Sequence, residues 1–130
     1  MEEPRWLTPM AVDLLHSGSI ELYGGSHGVR DTALIESALS RPVNRWMYAP
    51  ECDLADIAAS YAYGLAKNHG YVDGNKRIAF TAMFVFLYRN GLLLEAADDV
   101  AIETMIGVAS GELGEGELAE WIRSRVVPRK

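Results

Sequence analysis

At 130 residues, with 49 % apolar and 23 % charged residues, the chain has the composition of one soluble globular domain, 1–130, with a core of its own. Its net charge of −6 argues against broad nucleic-acid binding, which requires a basic surface. The single cysteine, Cys52, excludes an internal disulfide and fits a reducing cytoplasm. The acidic start of the chain does not resemble a secretion signal, and the longest apolar run, 78–88, is too short to span a bilayer, so we expect a cytoplasmic protein.

Helical periodicity, capping residues and turn residues predict an all-α fold. The predicted helices cover, in chain order, residues 9–16, 31–40, 53–68, 75–90, 98–109 and 117–126. Segment 43–52 is predicted to be a loop packed by its aromatic residues, and the tail 128–130 to be loose. The run 78–88 is so apolar that its helix should be buried on all sides. A strand is the competing interpretation, but the run is long and has few β-branched residues.

The residues that carry chemistry are concentrated in segment 69–77, His-Gly-Tyr-Val-Asp-Gly-Asn-Lys-Arg. This polar segment leads directly into the apolar helix 75–90. The free N–H groups at the start of that helix would therefore lie at the loop, where an anion can bind. Lys76 and Arg77 fall in the first helical turn, where cations oppose the helix dipole, and a bound anion would account for them. The segment therefore predicts a phosphate-handling active site.

Two side chains in this segment could take part in proton transfer or metal binding. His69 could pack at a helix C-terminus, or it could act as a general base because its pKa lies near neutral pH. Asp73 could form an Asx-turn before the following glycine, or it could ligate Mg²⁺ together with phosphate oxygens.

The next four residues could hold phosphate groups. Gly74 would let the backbone approach a ligand or adopt a positive φ, and Asn75 could cap the helix or donate to a phosphate. Lys76 and Arg77 could be solvated surface charges. They could instead bind phosphate, Lys76 as a point charge and Arg77 through a bidentate contact. No Walker A motif, zinc-ligand spacing or G-x-S-x-G motif is present to suggest other chemistry.

The segment and its flanks resemble the Fic/Doc superfamily, and in particular its death-on-curing (Doc) type. The signature of that family is H-x-F-x-[DN]-[AG]-N-K-R, which residues 69–77 match with Tyr71 in place of phenylalanine. Further similarity lies in segments 23–25, 28–31, 34–39, 66–68, 86–91 and 109–121. The resemblance implies a compact all-helical fold in which the motif loop joins two central helices. A tyrosine hydroxyl inside that loop would need a hydrogen-bond partner.

The resemblance also implies group transfer from a nucleoside triphosphate to a protein hydroxyl. Doc-type members have lysine at position 76 and are similar to protein kinases, because they move the γ-phosphoryl group of ATP to a threonine of translation elongation factor Tu. By position, His69 would deprotonate the hydroxyl, and Asp73 would hold Mg²⁺ or assist that step. The residues that would cradle the phosphates are Gly74, Asn75, Lys76 and Arg77. Such catalysis depends mainly on positioning and charge neutralisation.

Two other functions are compatible with the same fold. Fic relatives that transfer a nucleotidyl group mostly have glycine at position 76 and usually a second arginine at position 80, where this chain has Lys76 and Phe80. A catalytically inactive antitoxin-binding module is the third reading. The resemblance implies a small antitoxin whose C-terminal segment folds into a groove on the toxin. Segment 32–36 nearly matches a self-inhibitory motif, but Ser37 departs from it, so we expect control by a separate antitoxin.

Overall fold

The structure is a computed structural model that describes residues 1–130. It is 65 % helical, with six helices and one small sheet of two strands, which confirms the all-α prediction. The elements are α1 (Pro9–Tyr23), α2 (Thr32–Tyr48), α3 (Leu54–Asn68), α4 (Asn75–Arg89), β1 (Leu92–Leu94), α5 (Asp98–Ser110), α6 (Glu115–Arg123) and β2 (Val126–Pro128). None of the helices combines the length and the hydrophobicity that crossing a membrane requires.

Helix α3 lies at the centre and packs against α2, α4, α5 and α6. Its side chains Ile57 and Tyr61 are fully buried, and the Tyr61 ring lies 5.0 Å from that of Phe86 on α4. Gly64 allows α2 to approach closely, because a Cβ there would lie 3.2 Å from Cα of Ala38. Burial of each large apolar side chain contributes about 1.5–3 kcal/mol, so the α3–α4 pair is a rigid base for the loop between them.

Capping side chains begin the first three helices, close to the predicted starts at residues 9, 31 and 53. The Thr8 side chain accepts from the N–H of Ala11, and Asp31 accepts from the N–H groups of the second and third residues after it. Asp53 and Asp56 form a reciprocal capping box at the start of α3. These local signals placed the three starts correctly, because each cap needs only residues within one turn of it.

The predicted end of α1 at residue 16 is wrong, because the helix continues through Ser17 and Gly18 to Tyr23. A glycine inside a helix costs only about 1 kcal/mol. Ser19 and Ile20, in the added segment, are buried, and that tertiary packing outweighs the local cost.

The predicted end of α2 at residue 40 and the predicted loop 43–52 are also wrong, because α2 continues through Pro42 for nearly two further turns. Pro42 removes one helical hydrogen bond but is itself fully buried. Beyond it, the Trp46 ring packs edge-on against Trp6 at 6.0 Å. Trp46, which the prediction assigned to a loop, therefore packs from a helix, whereas Tyr48 is exposed.

Three further expectations, two of them at the C-terminal end and one in α4, are corrected. The tail is not loose, because β2 pairs antiparallel with β1 and the N–H of Arg129 donates to the carbonyl of Gly91. Helix α6 begins at Glu115 and ends at Arg123, so both of its ends come earlier than in the predicted range 117–126. Helix α4 is not buried on all sides, because Phe80 and Phe84 are only partly covered. The uncovered flank of α4 becomes one wall of the cleft described next.

Candidate active site

The motif loop joins α3 to α4, as the family resemblance implied, and both of its ends adopt a left-handed conformation. His69 ends α3 with φ 51° and ψ 48°, and Gly74 precedes α4 with φ 74°. A positive φ is unusual for a residue other than glycine and costs about 1 kcal/mol or more. Arg30 stabilises this bend, because its guanidinium donates to the carbonyls of His69 at 2.8 Å and Asn68 at 3.2 Å.

Asn75 holds the loop in shape from within. Its buried side chain accepts from the N–H of Tyr71 at 3.0 Å and donates to the Tyr71 carbonyl at 3.0 Å. The same amide nitrogen lies 3.5 Å from Nδ1 of His69. Gly74, not Asn75, is the N-cap of α4, so the predicted capping role of Asn75 is wrong. The side chain of Asn75 links the imidazole to the start of α4.

Asp73 presents an exposed carboxylate that is held in its charged form. It accepts from the N–H of Ser26 at 3.1 Å and from the N–H of Gly74 at 2.8 Å. These two backbone bonds, and then the nearby Arg77 guanidinium, lower the pKa of Asp73. The bond to Gly74 reaches only the next residue, so it is not the predicted Asx-turn, which needs the N–H two residues on. Each carboxylate oxygen retains a lone pair for a further ligand.

The donors around Asp73 suit a magnesium ion that arrives with phosphate groups. Mg²⁺ is usually held by one or two carboxylates, with phosphate oxygens and water completing its octahedron. The chain has no group of three or more side chains able to hold a metal by themselves. One ionised carboxylate beside two cations fits a metal–nucleotide complex rather than a free-standing metal site.

Lys76 and Arg77 carry positive charges at the cleft, and Arg77 lies close enough to Asp73 to lower the pKa of that carboxyl. Neither residue forms one of the ion pairs of the structure. Arg77 donates instead to the carbonyl oxygens of Gly24 at 3.0 Å and Ser19 at 3.4 Å. No side chain caps the first turn of α4, so its N–H groups add to the positive end of the helix.

These groups line one side of a cleft of about 630 Å³, a volume typical of small-molecule sites. The loop residues that line it are Asp73, Gly74, Asn75, Lys76 and Arg77. Apolar residues of α1, α4 and α5 form most of the remaining lining: Tyr23, Phe80, Ala101, Ile102, Met105 and Ile106. The polar residues Thr81 and Asp98 complete it. His69 does not line the cleft; its side chain is exposed, and its Nδ1 lies 3.5 Å from the amide nitrogen of Asn75, which does line it.

Sequence reasoning missed the parts of the site that come from distant elements. The wall from α5 includes Ile102 and Ile106, which are exposed apolar residues one turn apart, and that spacing was the available signal. Gly25 lies against the carboxylate, because a Cβ there would be 2.8 Å from Oδ2 of Asp73. The partner needed by the Tyr71 hydroxyl is Asp13 on α1, which accepts its hydrogen bond.

The fold and the loop together define the class. The chain belongs to the Fic/DOC family, whose model matches residues 6–87, and the resemblance seen in the sequence is thereby confirmed. It is 31 % identical over 119 residues to the "Protein kinase doc" of Escherichia phage P1, covering 92 % of this chain and 94 % of that protein. It is 43 % identical over 90 residues to the "Toxin Doc" of Mycolicibacterium smegmatis, covering 68 % of each.

Proposed function

We propose that this protein is a Doc-type toxin that moves the γ-phosphoryl group of ATP to a serine or threonine hydroxyl of a target protein. We further propose that the target is elongation factor Tu. One observation carries the proposal: an ionised carboxylate, two cations outside any ion pair and an uncapped helix start line one cleft of about 630 Å³, and an exposed imidazole lies beside Asn75 of that cleft. The kinase and toxin names of two relatives support the same reaction class.

In this mechanism the protein binds and orients the reactants. Lys76, Arg77 and the first-turn N–H groups of α4 bind the phosphate oxygens. Arg77 already donates to two backbone carbonyls, which fix its guanidinium while its other N–H groups remain free for a phosphate. His69 accepts the proton of the attacking hydroxyl at its imidazole.

Asp73 would hold Mg²⁺ against the phosphates. Bound there, the ion would neutralise charge that develops on the transferred group. The Ser26 and Gly74 N–H groups keep the carboxylate ionised and oriented for this role.

Labelled nucleotide separates the candidate reactions. The protein is incubated with purified elongation factor Tu and ATP labelled either at the γ or at the α phosphate, and the modified residue is located by mass spectrometry. Transfer of the γ label to a hydroxyl is the expected result. Transfer of the α label would establish nucleotidyl transfer instead, and no transfer to any protein of a lysate would favour an inactive binding module.

His69→Ala tests the proposed base. Because the side chain is exposed, its removal should leave the melting temperature unchanged, while loss of a general base should lower the transfer rate by about 10²–10⁴. The bend at this position is held through the backbone carbonyl, which the variant retains. Growth arrest that persists in cells expressing a folded His69→Ala protein would contradict catalysis by this residue.

Arg77→Ala tests the phosphate site. Losing charge-assisted hydrogen bonds should weaken ATP binding by about 10–100-fold in calorimetry. Arg89→Ala is the matched control, because Arg89 lies in the last turn of the same helix and contacts the Trp6 carbonyl instead of the cleft. Equal ATP affinity for the Arg77 variant and the wild type would overturn the assignment.

The proposal includes a separate antitoxin whose C-terminal segment binds in a groove of the toxin, and a cytoplasmic location that both partners share. Glu36, the glutamate of the near-match to a self-inhibitory motif, is exposed on α2, and no glutamate lines the cleft. Co-expression with the product of a neighbouring short reading frame should relieve growth arrest, and arrest unchanged by such a partner would count against this form of control.

A further inference from the structure

His16 is a buried polar residue that the mechanism above does not use. It lies on α1, is only 3 % exposed, and its Nε2 is 2.8 Å from the carbonyl oxygen of Asp73. Because a carbonyl oxygen only accepts, Nε2 carries the proton and donates. A side chain of one helix thus holds the backbone of the motif loop at the residue whose carboxylate faces the cleft.

The imidazole is also held from its face. It stacks on the ring of Tyr71, with centroids 3.8 Å apart and planes inclined by 12°. The Tyr71 hydroxyl donates to Asp13, which lies one turn before His16 on α1. The two α1 side chains therefore contact the loop at two points, and the stack restricts the direction in which the His16 N–H can point.

The bond matters because the peptide between Asp73 and Gly74 has two accessible orientations. Gly74 has φ 74°, and glycine tolerates both signs of φ, so the local sequence does not select one orientation. The peptide is planar and trans, so fixing its carbonyl toward His16 fixes the Gly74 N–H in the opposite direction. That N–H donates to Oδ1 of Asp73 at 2.8 Å.

We propose that His16 is a positioning residue whose hydrogen bond selects the orientation of the Asp73–Gly74 peptide and thereby sets the direction of the Asp73 carboxylate. The effect on catalysis rests on the function proposed above, whereas the effect on the loop does not. The side chain of His16 makes no hydrogen bond to Lys76, to Arg77 or to the first turn of α4; its one hydrogen bond is to the Asp73 carbonyl. Loss of it should therefore reduce the rate of transfer more than the binding of ATP.

Two substitutions separate the donor from the ring. His16→Phe keeps the stack on Tyr71 and removes the donor, while His16→Gln keeps a terminal N–H donor and removes the ring. His16→Phe should lower kcat about tenfold, the equivalent of one hydrogen bond, with KM for ATP nearly unchanged. His16→Gln should retain more of kcat. A wild-type kcat in His16→Phe, or an equal loss in both variants, would overturn the proposal.

A measurement on the wild-type protein tests the positioning role without depending on whether either variant folds. Long-range ¹H–¹⁵N spectra should show His16 protonated at Nε2, and the Gly74 amide should be protected from hydrogen exchange. An Nδ1-protonated ring, or an unprotected Gly74 amide, would refute the positioning role. If these signals are as expected but no phosphoryl transfer occurs, the proposed function fails and the loop inference stands. If phosphoryl transfer occurs but these signals are absent, the loop inference fails and the proposed function stands.

Discussion

Removal of the Tyr71 hydroxyl tests how strongly α1 holds the motif loop. Tyr71 is 2 % exposed, and its hydroxyl donates to the exposed carboxylate of Asp13. Hydrogen bonds to charged groups contribute about 1.5–3 kcal/mol, and solvation of the freed Asp13 offsets part of that loss. Tyr71→Phe should therefore destabilise the protein by about 1–2 kcal/mol. For a chain of 130 residues this lowers the melting temperature by about 4–7 °C.

Removal of the acceptor, Asp13, should lower the stability at least as much as removal of the Tyr71 hydroxyl. Asp13→Ala leaves the buried hydroxyl of Tyr71 without an acceptor, and an unsatisfied buried donor costs about 1–3 kcal/mol. Urea denaturation followed by circular dichroism gives the free energy of unfolding of each single variant and of the double variant. The double variant should be no less stable than Asp13→Ala alone. If Tyr71→Phe is as stable as the wild type, or Asp13→Ala costs less than Tyr71→Phe, the hydrogen bond does not hold the loop.

Two other substitutions test the surroundings of the cleft and the start of α3. Gly25→Ala and Gly24→Ala both place alanine at a positive φ, but only the Gly25 Cβ would lie 2.8 Å from the Asp73 carboxylate. Gly25→Ala should lose more stability than Gly24→Ala, because its Cβ would also lie 3.0 Å from Ile20, whereas a Cβ at Gly24 would meet nothing within 4 Å. Only Gly25→Ala should lower phosphoryl transfer, and equal activities would contradict the close-contact argument. The Arg123 guanidinium lowers the pKa of Asp53 from 3.8 to about 2. The native state then binds fewer protons than the unfolded chain, so stability from this group is present above about pH 4 and lost toward pH 2. In Asp53→Asn, the urea concentration at the unfolding midpoint should fall less between about pH 4 and pH 2 than it does in the wild type. Identical pH dependences of the two proteins would refute this contribution.

Features that depend on neighbours in the chain could be predicted from the sequence. The caps at Thr8, Asp31 and Asp53 follow from side chains within one turn of the backbone they satisfy. The motif loop also belongs to this group. Its five cleft residues are adjacent in sequence, so their proximity in space follows from chain connectivity.

Features that depend on burial against distant segments could not be predicted in this way. Gly18 and Pro42 read as helix ends, yet tertiary packing carries α1 and α2 past them. The pairing of β1 with β2 joins segments more than thirty positions apart. A strand of three residues is too short for its periodicity to indicate which segment it pairs with.

The sequence by itself determined the helical class, the family and the chemical groups of the motif loop. Only the tertiary structure decided what surrounds that loop: the apolar wall from α5, the glycine against Asp73, and the α1 side chains Asp13 and His16 that hold its backbone. The physical reason is the separation along the chain over which each interaction acts. Capping and helical periodicity act over one or two turns, whereas the direction of the Asp73 carboxylate depends on a hydrogen bond between residues 57 positions apart.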